Sequence, residues 1–270
     1  MKLGISSFTY PWAIGLPDAT PSHPLKPVQL LEKAQELGVG LVQFGANMPL
    51  DKLSDYELRE VEKYATSWKI DLEMGTVGID PDRLRQQIKF AKRIGVILLK
   101  TLPEREDGQI PMRTEIANCL SAVLGDLARE EIPLAVDNSR IPAQQLNEIL
   151  ESIRSPWLGA ALDTANPMAL PQGWQVSFRV LAHRTLSLHI KDFVVQPAAH
   201  GMGFSVKGCP AGKGQLNVPW LVESFAALRL EPSILLESWT PEQNTLQETL
   251  ALEDAWAKEG VKYLRRFIPD

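Results

Sequence analysis

The sequence predicts a parallel (β/α)8 barrel, and three observations predict it. Short apolar segments alternate with amphipathic helical stretches eight times along 270 residues, at roughly thirty residues per unit. The apolar segments are nearly continuous runs, as expected of parallel strands covered on both faces. Four of the runs in succession end on a side chain with metal-binding chemistry: LAVD at Asp137, GAALD at Asp163, LSLHI around His189 and SILLE at Glu237. No composition break, internal repeat beyond the βα unit or low-complexity run divides the chain, so residues 1–270 read as one domain. A doubly wound open sheet is the alternative. It should carry a phosphate-binding glycine turn after the first strand, and Ser6-Ser7-Phe8-Thr9 is not one.

Lys2 to Ser7 is the expected first strand. The loop after it is rich in proline and aromatics and reads as a surface lid or as one wall of a ligand pocket. Val28, Leu31, Ala34 and Leu37 form a helical stripe stopped by Gly38. Residues 41–45 and 70–76 are the second and third strands. Leu58, Val61, Ala65 and Trp68 mark the helix between them, and Leu84, Ile88, Ala91 and Ile94 the helix that Gly95 closes. Residues 96–102 form the fourth strand. Ile116, Leu120, Val123 and Leu127 predict one long fourth helix. The fifth strand (133–138) and sixth strand (158–163) flank a helix carrying Leu146, Ile149, Leu150 and Ile153, and a shorter helix covers 176–181. The seventh strand, 185–192, alternates Leu186, Leu188 and Ile190 with Thr185, Ser187, His189 and Lys191. Helix 219–228, strand 233–238 and a final helix from about 241 to 266 complete the chain.

Composition narrows the function. An apolar fraction of 44% supports a sizeable core. Net charge is −5 without a basic block or basic–aromatic stripe, which argues against a nucleic-acid partner. No run approaches the ~20 apolar residues of a membrane span, and the start lacks the h-region of a signal peptide. Two cysteines, Cys119 and Cys209, indicate no disulfide framework. A cytoplasmic protein with a small-molecule partner is expected, and self-association into a homo-oligomer is left open.

Strand ends converge at one mouth of a barrel, where active sites form. Asp137, Asp163, His189 and Glu237 occupy equivalent points of adjacent strands. Their inward predecessors Ala135, Ala161 and Ser187 are small and leave room. Three carboxylates packed there without a cation would repel, and one would take up a proton. Taken singly, a strand-end Asp is more often a helix cap and a lone His a core residue; four together point to one divalent ion. The oxygen donors favour Mn2+ or Mg2+, and the imidazole leaves Zn2+ and Co2+ open.

At these residues the chain resembles the sugar phosphate isomerase/epimerase superfamily, the xylose-isomerase-like TIM barrels. The resemblance spans nearly the whole chain through SSFTYPWA, EMGT, LDTAN, HIKDF and the GKG turn at Gly212. It implies a mononuclear divalent-metal site with Asp137, Asp163, His189 and Glu237 as ligands. It also implies that the acids of the fifth and eighth strands double as proton-transfer groups, with Glu237 the stronger candidate and Asp137 the weaker. Two departures stand out. Well-studied members have Glu where Asp137 stands, which retracts the carboxylate by roughly 1.5 Å. Asn166 stands where epimerases often carry His.

The expected chemistry is chelation of adjacent oxygens of a hydroxy-ketone or aldose, stabilisation of an enediolate, and proton transfer by a carboxylate. An isomerase or epimerase of small sugars or polyols is the first expectation. A metal-dependent lyase or dehydratase and a catalytically degenerate ligand-binding barrel are the alternatives. An endonuclease of this superfamily would need a histidine-rich multi-metal cluster, and the chain has only four histidines. Lys191 reads as a contact to a substrate oxygen or as a partner for a mouth carboxylate. Glu73 and Lys100 read as pocket-lining or as an inter-strand ion pair. The glycine-rich stretch 200–217 fails the P-loop spacing and reads as a lid, with His200 and Lys207 as substrate contacts or with His200 only capping a turn. Trp12, Trp239 and Phe8 are candidate apolar walls.

Overall fold

The structure, a computed structural model, describes residues 1–105, 107–170 and 172–269. The barrel strands are β1 (Lys2–Ser6), β2 (Leu41–Phe44), β3 (Asp71–Val77), β4 (Val96–Leu102), β5 (Leu134–Asp137), β6 (Leu158–Asp163) and β7 (Thr185–Ile190). A hairpin of β8 (Phe193–Pro197) and β9 (Phe204–Gly208) then precedes the last barrel strand, β10 (Ser233–Leu236). The eight barrel strands are parallel and closed, with β10 between β7 and β1, and β1 paired to β2. Register brings the functional residues level: Asp137 lies opposite Ala161, and Asp163 opposite His189.

Ten α-helices are found among the described residues: α1 (Pro11–Ile14), α2 (Pro27–Glu36), α3 (Asp55–Trp68), α4 (Pro81–Arg93), α5 (Arg113–Ser121), α6 (Leu124–Glu130), α7 (Ala143–Ile153), α8 (Gly173–Leu181), α9 (Val218–Ala227) and α10 (Leu246–Leu264). Most bury one apolar stripe against the outside of the sheet. Leu30, Leu31 and Ala34 of α2 and Leu84, Ile88 and Ala91 of α4 are fully enclosed, each leucine or isoleucine contributing about 1.5–3 kcal/mol. The stops lie at Gly38 and Gly95, which take positive φ of 67° and 72°, a backbone state that glycine adopts without a Cβ penalty. Inside the barrel, Leu98, Ala135 and Ala161 form a separate small apolar cluster, and the small residues leave space above them.

Three expectations are corrected. The long fourth helix is two helices, α5 and α6, with Val123 leaving helical geometry between them; Gly125 weakens the helix at that join. The last helix starts at Leu246 rather than near 241, because the Thr245 side chain caps it in a reciprocal pair with Glu248. The stretch after the seventh strand is not a plain lid loop. It begins with the antiparallel β8–β9 hairpin, in register from Phe193↔Gly208 to Pro197↔Phe204. Short alternation in FVVQP and FSVKG was the available signal. Among the described residues no helix is long and apolar enough to cross a membrane.

Asp192 ties this hairpin to the barrel. Its carboxylate accepts from the backbone N–H groups of Phe193 (2.8 Å), Leu216 (3.0 Å), Gly212 (2.9 Å) and Gly214 (2.9 Å). Gly208 fits where no side chain could, since a Cβ there would lie 2.2 Å from the Trp239 carbonyl oxygen. Asp192→Ala strands several enclosed donors, each costing about 1–3 kcal/mol. The variant is expected to lose about 3 kcal/mol or more in urea denaturation; a loss below about 1 kcal/mol would show that the clamp is not structural.

Candidate metal centre and active-site cavity

Asp163, His189 and Glu237 come together at the C-terminal mouth, all three buried, with one ligand atom from each within 4.8 Å of the others. Asp163 ends β6, where Asn138 Oδ1 accepts from its backbone N–H at 2.8 Å. Its Oδ1 accepts from the N–H groups of Ala165 and Asn166, at 2.8 and 2.7 Å, which leaves Oδ2 turned to the mouth. His189 stands on the inward face of β7, its Nδ1 3.4 Å from Glu237 Oε1 and its buried Nε2 without a hydrogen-bond partner among the described residues. Glu237 follows β10, and Ser6 Oγ donates to its Oε1 at 2.8 Å. Burial pushes the His189 pKa down against the pull of Glu237. The ring is therefore neutral and has a lone pair to offer. Two carboxylates and a neutral imidazole with an unsatisfied buried ring nitrogen suit a divalent cation.

Three of the four ligands expected from the sequence thus gather, and the fourth, Asp137, does not. Its Oδ1 accepts from the N–H of Ser139 at 2.7 Å and from the Ser139 hydroxyl. Its Oδ2 lies 2.7 Å from Lys100 Nζ, an ion-pair distance without hydrogen-bond alignment. The shorter aspartyl side chain has been drawn into its own strand-end turn.

Two buried lysines complete the electrostatics. Lys191 Nζ lies 2.9 Å from Glu237 Oε2, 3.3 Å from Asp163 Oδ2 and 3.1 Å from Asn166 Oδ1, and 5.1 Å from the centre of the Trp239 ring. Burial opposes its charge, but Asp163 and Glu237 prevail and its pKa is raised. Lys100 is raised in the same way, burial being outweighed by Asp137 and Glu237. For Glu237, burial raises the pKa, yet Lys191, His189 and Lys100 together hold it at about 2. Asp137 is also lowered, Lys100 and His189 overcoming burial. Asn166 Nδ2 donates to Ser139 Oγ at 2.9 Å. The rim is therefore one continuous polar chain from Glu237 through Lys191, Asn166, Ser139 and Asp137 to Lys100.

A cavity of about 650 Å3 opens onto this rim, with Lys100, Asn166, Lys191 and Glu237 in its wall and Phe8, Met168, Val206 and Trp239 as apolar surface. Glu73, Trp12 and His200 are not part of it. Glu73 is the third residue of β3, not a late one; it is buried low in the barrel, where Gln43 Nε2 donates to it at 2.9 Å, and burial raises its pKa to about 7. The Trp12 indole donates to the Thr240 carbonyl at 2.8 Å, and its backbone N–H to Glu253. His200 sits exposed at the tip of the hairpin, its Nδ1 accepting from the N–H of Met202. Lys207 lies on β9 and is exposed. Sequence reasoning missed Ser139, Arg140 and Met168. Ser139 and Arg140 follow the fifth strand directly, and position after a strand end was the available clue.

A closed parallel barrel with a buried acid–imidazole–acid cluster at its C-terminal mouth defines a metal-binding barrel enzyme. A model of the xylose isomerase-like TIM barrel family matches residues 31–267, and the chain belongs to that family. A curated relative, 3-oxo-isoapionate decarboxylase of Pectobacterium atrosepticum, is 28% identical over 265 residues, covering 98% of this chain and 95% of the relative. Among solved structures, D-psicose 3-epimerase with D-tagatose from Clostridium cellulolyticum H10 matches with a TM-score of 0.73 at 14% identity, over 99% of each chain. The IOLI protein with a bound zinc atom matches with a TM-score of 0.72 at 16% identity, over 100% of each chain. At these identities the two structures show the shared fold.

Lys191 competes with a cation for Asp163 and Glu237. Mn2+ is expected to raise the melting temperature of the protein and EDTA to reverse it. Asp163→Asn should weaken Mn2+ at least tenfold in calorimetric titration, whereas Lys191→Met should tighten it several-fold. Equal Mn2+ affinity in all three proteins would remove the ion from this cluster.

Proposed function

We propose that the chain is a divalent-metal-dependent lyase that decarboxylates a small polyhydroxylated 3-oxo acid. The observation that carries this reading is the state of the two carboxylates that an isomerase would use. Glu237 is paired to Lys191 and held at about 2, and Asp137 is taken up by Lys100 and Ser139. Carboxylates stabilised this strongly as anions are poor bases toward a carbon-bound proton. Decarboxylation asks for no such base, because CO2 itself is the group that leaves.

Asp163, His189 and Glu237 would hold the ion, which would supply Lewis acidity toward the substrate's oxygens. The chain's own groups do the rest. Phe8, Met168 and Trp239 exclude water along one side of the cavity, which strengthens every charge interaction inside. The electron pair of the C–C bond passes into the adjacent ketone as CO2 departs, giving an enediolate. The Lys191 ammonium faces that developing negative charge and stays protonated, and the carbon takes one proton from solvent. Asn166 and Glu237 keep the ammonium aimed through this step. The 28% identity to a decarboxylase over nearly the full chain supports the same reading. An isomerase or epimerase of small sugars is the second reading, favoured by the presence of Glu237 in the cavity wall.

The two separate in one experiment in D2O. Mn2+-loaded protein is expected to release CO2 from 3-oxo-isoapionate and to leave a single deuterium on the carbon that carried the carboxylate. Deuterium washed into recovered D-psicose or D-tagatose without CO2 release from the acid would select the isomerase instead. Lys191→Met is expected to lower the decarboxylation rate about 10²-fold or more, the usual size of a lost charge-stabilising donor, with intact circular dichroism; a change under threefold would deny Lys191 its role.

A further inference from the structure

Charge and donor counts at the mouth say more about what the cavity accepts. Asp137, Asp163, Glu237, Lys100 and Lys191 are all buried. Three carboxylates against two ammonium groups leave one negative charge. Arg140, also in the cavity wall, is matched by Glu104 at 2.6 Å. A divalent ion in the cluster therefore brings the site to one positive charge. A neutral sugar would leave that charge uncompensated, whereas a monoanion balances it.

The donor count says where the anion goes. An ammonium has three hydrogens to donate. Lys191 has three acceptors around it, Glu237, Asp163 and Asn166. Among the described residues Lys100 has one carboxylate within ion-pair distance, Asp137 at 2.7 Å, yet it is just as enclosed and lies in the cavity wall. Buried charged donors are almost always satisfied, and the free side of Lys100 faces the substrate space. Asp137 is fixed from behind by the Ser139 N–H and hydroxyl, so it holds Lys100 at a set height above Ala135, the residue paired with Lys100 in the sheet.

We propose that the Lys100–Asp137 pair selects the substrate: Lys100 donates to the carboxylate of a small monoanionic hydroxy-keto acid, and Asp137 is the positioning residue that aims Lys100 and tempers its charge. The tempering has a chemical purpose. In a decarboxylation negative charge leaves the carboxylate, so a fully exposed cation at that end would stabilise the starting state and slow the reaction. A lysine already paired with Asp137 orients the carboxylate without gripping it. The proposal deepens the reading above and rests on it for the bound ion.

Calorimetric titration of the Mn2+-loaded protein with D-erythronate, and separately with the neutral erythritol, tests it. The wild type is expected to bind erythronate at least tenfold tighter than erythritol. Lys100→Gln should remove that preference while keeping Mn2+ affinity within threefold, and Asp137→Asn should tighten erythronate several-fold. Should Lys100→Gln lose its fold by circular dichroism, the double variant Lys100→Gln/Asp137→Asn removes both charges together and carries the same expectation of lost preference. Equal binding of the two probes by the wild type, or a preference that survives loss of Lys100, overturns the proposal. So does an Asp137→Asn protein that binds erythronate more weakly than the wild type. Mn2+ uptake, measured first, separates the two readings: a protein that takes up no ion fails both, and one that takes up the ion without preferring the anion fails this inference alone.

Discussion

The ammonium of Lys191 is the charge on which the mouth of this barrel depends. It sits within 3.3 Å of both Asp163 and Glu237, in a region where unpaired charge costs several kcal/mol per ion. Remove it, and two buried carboxylates face each other beside a neutral imidazole. With it in place, Glu237 stays an anion at any ordinary pH, and Asn166 and Ser139 are drawn into a chain that reaches Asp137 and Lys100. The polar rim is one cooperative unit rather than a set of separate side chains.

On the function proposed above, that arrangement favours one kind of chemistry. Proton shuttling between carbons asks for carboxylates that are poised to take a proton, and these are not. Loss of CO2 asks for positive charge near the electrons left behind, and the rim has two lysines in addition to a cluster suited to a cation. The hairpin contributes an apolar wall through Val206. It is held in place by Asp192, whose carboxylate gathers four backbone donors, and by the close seat of Gly208 against Trp239. Structure far from the reacting atoms thereby sets the shape of the space in which they would react.

Much of this could be read from the residues in order. Eight apolar runs with amphipathic stretches between them dictate strands and helices, because periods of 2 and 3.6 are local properties. Alternation along the seventh strand placed His189 and Lys191 on one face, and equivalent strand ends placed Asp163 and Glu237 beside them. What was not legible were the partners. Nothing local shows that Asp137 spends its oxygens on Ser139 and Lys100, that Glu73 lies low in the barrel beside Gln43, or that the Trp12 indole is occupied by the Thr240 carbonyl. The break between α5 and α6 and the β8–β9 hairpin were missed because a single residue leaving helical geometry and five-residue strands give weak periodic signals.

By itself, then, the sequence determined the barrel, the order of its strands, and the mouth at which Asp163, His189 and Glu237 meet, since these follow from spacing and from the shared geometry of strand ends. Only the tertiary structure decided which carboxylates gather beside His189 and Lys191 and which is drawn off to Lys100 and Ser139. That choice is settled by distances of about 3 Å between residues as far apart in the chain as Lys191 and Glu237, or Lys100 and Asp137. Pairing of charges across a closed sheet is fixed by register and burial, which no stretch of chain contains on its own.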